Sequence, residues 1–165
     1  MDTSDLGGTL QYLLDLIVDF SSDFFAFIVV AAAIAAFAFY FGRNRIVPLT
    51  AALYAAIPLY MQFPYMEYIT TPLLHIALYL GITALALVAF SNLASFVAEG
   101  SIGFIKLVTL SASVAGLLLA VSIHVLPVED IYTFSAATRA LFAPGEAFFL
   151  WLVLPLAGIF VLGRG

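Results

Sequence analysis

The chain has no cysteine. That excludes disulfides, thiol catalysis and cysteine metal sites, and leaves the compartment open, because a thiol-free chain suits either side of a membrane. Charge is nearly as scarce. Only 9% of the 165 residues are Asp, Glu, Lys or Arg, while 65% are hydrophobic; a soluble domain is about a quarter charged and half apolar. No soluble fold of this size covers so much apolar surface with so few charges, whereas lipid as solvent removes the need. The expected class is all-α, a polytopic transmembrane helical bundle forming one integral membrane domain over 1–165.

Other absences narrow the function. Five cations against ten acids give a net charge of −5, the wrong sign for a nucleic-acid partner. The opening "MDTSDLGG" is acidic where a secretory leader has a basic segment, so no cleavable signal is expected. There is no internal repeat, no Gly-rich phosphate loop, no GxSxG or HExxH and no paired catalytic carboxylates. The expectation is a non-enzymatic protein without a cofactor.

What is present is apolar helix. A crossing needs about 20 apolar residues, and five stretches approach that: 24–42, 46–63, 73–97, 104–126 and 144–162. The breaks have physical causes. "SSD" at 21–23 offers caps for the first span. "GRNR" at 42–45 is too polar for lipid. "FPYMEYITTP" at 63–72 holds two prolines and a glutamate. "EGSIG" at 99–103 supplies a helix stop at Gly100 and a cap at Ser101, and Pro127 ends the fourth span. The fifth opens with Pro144 at a first-turn position and Glu146 near the positive end of the helix dipole.

Lys and Arg in short loops stay on the cytoplasmic side. With five spans, one side receives Arg43, Arg45, Lys106 and Arg164, and the other Arg139 alone. Glu99 falls on the first side and the nine other acids on the second. These cations are the topology anchors: N-terminus outside, C-terminus cytoplasmic, in a multi-pass cell-membrane protein. The Arg43–Arg45 pair also suits contact with a lipid headgroup or phosphate. Tyr60, Phe63, Tyr65, Tyr68 and Trp151 fall near outer span ends, and Tyr40, Phe41, Phe96 and Phe104 near inner ones, as interfacial belts do.

Two further segments read as surface helices. Over about 9–20, Leu10, Leu13, Leu14, Ile17 and Phe20 share a face, while Asp15, Asp19 and Asp23 repeat every fourth residue on another; continuity with the first span is the alternative. Over about 129–142, Ile131, Phe134 and Leu141 form the apolar set and Glu129, Asp130, Ser135 and Arg139 the polar one, for a helix lying in the outer interface or capping the bundle.

The span centres hold no charge, which argues against an ion-coupled pump or a secondary transporter acting alone. His75 and His124 both fall near outer ends, with Glu129 and Asp130 in an adjoining loop. Together they are the candidate outer polar site, for a metal or for titration near neutral pH, although no helical HxxxH or HxxE spacing supports it. The simpler reading is that each imidazole bonds to a neighbouring helix or to interfacial water. In "SASVAGLLLA", Ala112, Gly116 and Ala120 repeat every fourth residue, a face for close helix packing; Ala32, Ala35 and Ala36 of the first span are the expected partner face, and contact with a second copy is the alternative.

The order of landmarks, "YFGRNRIVPLTAALYAAIPLY" after the first span, "SAATRALF" before the last and "FFLWLVLPLAG" within it, resembles small five-span bacterial membrane proteins without a known activity. The resemblance spans most of 24–162 and implies an inner-membrane location. The expected role is a scaffold, assembly factor or membrane-complex subunit, whose partners are the lipid bilayer and another membrane protein or a second copy. A small-solute transporter or channel component, lined by Ser, Thr and Tyr of the third and fourth spans, is the alternative.

Overall fold

The computed structural model describes residues 21, 23–25, 27–91 and 103–162. Among these every regular element is helical and there is no strand. The surface helix expected at 9–20, the third-span residues 92–97, Glu99, and the anchor Arg164 lie outside the described residues.

Helix α1 (Asp23–Phe41) ends at Gly42, whose φ of 106° lies in the left-handed region open to glycine. A single 3-10 turn, Arg43–Arg45, leads directly into α2 (Ile46–Met61). Proline in the loop at 64 and a 3-10 turn at Met66–Tyr68 precede α3 (Pro72–Ser91), which has Pro at its first position, where its missing N–H costs nothing. Helix α4 (Phe104–His124) is the hub. A second 3-10 turn, Val128–Asp130, an extended stretch, and the short α5 (Ala136–Phe142) follow. Helix α6 (Gly145–Leu162) ends the described chain.

The core gathers around α4. Leu107, Leu110, Val114, Leu117 and Val121 recur at helical spacing and meet Ile34 and Ala38 of α1, Ile46, Leu53 and Ala56 of α2, and Tyr79 of α3. Helices α2 and α3 pair as one hairpin, and α4 pairs with α6. Elsewhere the surface is apolar: Leu73, Leu80, Leu85 and Val88 of α3, Phe149, Leu150 and Phe160 of α6, and Phe24 and Phe25 of α1 are all exposed. Only Tyr79 and Thr83 of α3 are buried. Such helices fit a lipid surround, in which apolar faces need no cover.

Helices α1, α3 and α4 are long and apolar enough to cross a bilayer, and α5 with α6 makes a fourth candidate if the pair, bent by 68°, is one span. The expected span at 46–63 is shorter than foreseen. Helix α2 stops after 16 residues, about 24 Å at 1.5 Å per residue, against roughly 30 Å of hydrocarbon. Pro58 lies inside it, and Gln62 caps its end through the carbonyls of Pro58 and Tyr60.

The expected helix at 129–142 is also revised. Regular helix covers only Ala136–Phe142, and its inward face is Phe134, Thr138 and Phe142, four residues apart, while Ile131 and Leu141 are exposed. The element is folded into the bundle. The packing partner of Gly116 differs as well. Ala32 and Ala36 of α1 are exposed, and the gap at Gly116 is filled by Trp151 of α6. Further along the same antiparallel pair, Gly158 admits the Leu110 side chain. Ala120 is fully buried and Ala112 partly so.

A Cβ at Gly116 would stand 2.0 Å from Trp151 Cζ3, with the indole already stacked on Phe142 at 4.7 Å. Gly116→Val is therefore expected to destabilise the protein by about 1–3 kcal/mol, read as a lower thermal midpoint in detergent with altered Trp151 emission. Gly81 has open space around it, so Gly81→Ala should have the opposite sign, a gain of up to about 1 kcal/mol from helix propensity.

Candidate functional site

The polar groups fall at two ends of the bundle. At one end the Gly42 turn carries Arg43 and Arg45, and the Phe39 and Phe104 rings, 5.9 Å apart, bring the close of α1 to the opening of α4 and hence to Lys106. Arg43 sits over Phe39, 5.3 Å from its centroid. The opposite end holds the start of α1, the close of α4, α5 and the start of α6, with Asp23, Glu129, Asp130 and Glu146.

Asp23 is the organising group there. Its side chain is 6% exposed. Tyr132 donates its hydroxyl to Oδ1 at 2.5 Å and Ser135 donates its backbone N–H to Oδ2 at 2.8 Å. Each carboxylate oxygen thus accepts a hydrogen from a segment more than a hundred residues away, an arrangement suited to the ionised form. Ser135 then caps α5, its Oγ accepting from the Thr138 N–H at 3.2 Å. Asp23 therefore fastens the connection after α4 against the start of α1.

The two histidines have separate surroundings. His75 Nδ1 lies 2.8 Å from the Tyr60 hydroxyl, which ties the start of α3 to the end of α2. The Tyr60 ring stands edge-on to both His75 and Tyr79. His124 Nδ1 faces the Ala120 carbonyl and Nε2 the Ala143 carbonyl, both at 3.1 Å. The ring also stacks on Phe148 at 4.3 Å. It thereby links the end of α4 to the bend between α5 and α6. Glu129 pairs with Arg139 at 3.5 Å, and Asp130 is exposed. Among the described residues no three His, Asp or Glu side chains gather as a metal set, so His75, His124, Glu129 and Asp130 are distributed over distinct contacts.

An apolar groove of about 180 Å³ adjoins this end, lined by Asp23, Phe24 and Phe27 of α1, Leu119 of α4, Thr138, Leu141 and Phe142 of α5, and Trp151 of α6. Trp151, near the start of α6, is partly buried, with its Nε1 3.4 Å from the Leu141 carbonyl. From sequence Asp23 reads as a helix cap and as one of three acids repeating every fourth residue. Its acidity beside the first apolar run was visible, but its partners at 132 and 135 had no local signature.

Comparison with protein-family models, with curated proteins and with solved structures gives no match.

The Asp23 cluster predicts a ranking. Tyr132→Phe removes a donor from a buried carboxylate and should cost about 1.5–3 kcal/mol. Ser135→Ala removes the α5 cap but keeps the backbone N–H on Asp23, and should cost about 1 kcal/mol. Thermal unfolding of the two variants in the same detergent checks the order.

Proposed function

We propose that the chain is a multi-pass membrane protein, of bacterial inner-membrane type, crossing five times with its N-terminus outside and its C-terminus cytoplasmic. On this reading it acts without catalysis, as a scaffold or subunit that works through helix contacts within the bilayer. What supports the functional part is the apolar face that α3 leaves outside the bundle, a 20-residue helix with only Tyr79 and Thr83 buried; lipid or a partner helix covers such a face, and the cross-linking below distinguishes the two. Its outer face displays Leu73, Leu74, Leu80, Leu85 and Val88. A partner helix packs there through van der Waals contact, the main source of association in lipid.

The orientation is supported by the distribution of charge. Arg43, Arg45 and Lys106 share one end and Asp23, Glu129, Asp130 and Glu146 the other, with Arg139 held in a pair to Glu129. Five crossings require α2 to span as a short helix, which a locally thinned bilayer accommodates at modest cost.

A channel lined by hydroxyls of α3 and α4 has less support. Thr83, Thr109, Ser113 and Ser122 donate to carbonyls three or four residues back in their own helices, so their hydrogens are spent on their own backbone.

Two measurements test the proposal. In intact cells an impermeant thiol reagent should label Glu67→Cys and spare Asn44→Cys; the reverse pattern refutes the orientation. In native membranes a thiol-reactive cross-linker at Leu80→Cys, Leu85→Cys or Val88→Cys should give a discrete adduct larger than the chain, and monomer alone at all three positions refutes the partner.

A further inference from the structure

We propose that the end of the bundle with Arg43, Arg45 and Lys106 binds an anionic phospholipid, its phosphodiester on the cations and its acyl chains along α1 and α4. The proposal rests on the reading of these helices as membrane spans.

The first observation is charge of one sign. Arg43 and Arg45 form the turn after α1, and Lys106 lies in the first turn of α4. The Phe39 and Phe104 rings, 5.9 Å apart, hold the two segments together. The acids among the described residues stand at the other end: Asp23 begins α1, Glu67 follows the close of α2, and Glu129, Asp130 and Glu146 follow the close of α4. Cations gathered from two segments attract an anion, and phosphate suits them. A guanidinium meets its oxygens as a planar fork and an ammonium as a point charge. The phosphodiesters of a bilayer lie at the level where an apolar helix meets water, and anionic ones draw cations placed there.

The second observation separates a lipid from a free anion. The surface that leads away from the cations is apolar and open. Phe39, Phe104 and Ile105 are exposed, and Val108 follows Phe104 one turn on, exposed as well. On α1, Ala36 and Ala32 share the face of Phe39 and are also exposed, so small residues beneath a ring leave a shallow track along the helix. Arg43 joins the two kinds of surface, its guanidinium 5.3 Å from the Phe39 centroid. An inorganic phosphate would use the cations alone, whereas a phospholipid uses the cations and the apolar track together.

The full chain, purified in an uncharged maltoside, is studied by native mass spectrometry with three probes: phosphatidylglycerol, phosphatidylcholine of the same acyl chains, and glycerophosphoglycerol, the headgroup without chains. The expected result is about tenfold stronger retention of phosphatidylglycerol than of phosphatidylcholine, with no competition from the free headgroup at equal concentration. Arg43→Gln combined with Arg45→Gln should remove that preference. Lys106→Gln alone should reduce it about threefold and serves if the double variant fails to fold. Equal retention of the two lipids, an undiminished preference in a folded cation variant, or displacement by the free headgroup overturns the proposal. Failure of the membrane reading is a separate result, a chain that stays monodisperse without detergent, and it removes the ground for any lipid site. The assay uses the pure chain, so its outcome leaves the partner reading of α3 untouched.

Discussion

Helices long and apolar enough to cross a bilayer would find no water there for a backbone or hydroxyl group, and the hydrogen bonds of the chain answer that constraint. Helices satisfy their own amides. The hydroxyls follow the same rule: Thr50 donates to Ile46, Thr83 to Tyr79, Thr109 to Ile105, Ser113 to Leu110 and Ser122 to Leu118, all carbonyls three or four residues back. Ser111 is buried without such a bond. The pattern explains how a chain with so many apolar residues tolerates Ser and Thr within its spans: most of them spend their polarity on their own helix and leave their carbon atoms to pack.

Two tyrosines donate across to neighbouring helices near their internal prolines. Pro155 is fully buried within α6 and removes one amide from the hydrogen-bond ladder. Nearby, Tyr54 of α2 donates its hydroxyl to the Leu152 carbonyl. Pro58 interrupts α2 in the same way, and Tyr79 of α3 donates to the Leu53 carbonyl at 3.1 Å. With the Tyr60–His75 contact between α2 and α3, these bonds are directional where hydrocarbon packing is not.

The sequence made the coarse architecture legible because lipid imposes length and charge rules that act locally. Helix starts at Pro72 and Phe104 and the turn at Gly42 were visible as proline, glycine and arginine in otherwise apolar runs. The early end of α2 was less visible: composition alone carries it to Phe63, whereas the backbone stops at Met61 before Pro64. What the sequence hid was contact between distant elements. The pairing of Asp23 with Tyr132, and of Gly116 with Trp151, depends on how α5 and α6 fold back, and no spacing within either segment encodes it. Small residues at 112, 116 and 120 announced a close approach but not which helix would make it.

The hidden contacts all lie at one end, and this is consistent with the physics of the other. The end with Arg43, Arg45 and Lys106 needs only to hold cations near water, a task that loose aromatic contacts such as Arg43 on Phe39 fulfil. The opposite end must accommodate a carboxylate, two imidazoles and a helix bend within an apolar surround. Three of the polar groups there are tied to specific partners: Asp23 to Tyr132 and Ser135, His75 to Tyr60, and His124 to Ala120 and Ala143. Buried Asp23 shows the rule most clearly: with little access to solvent, its carboxylate takes its donors from Tyr132 and Ser135, more than a hundred residues along the chain.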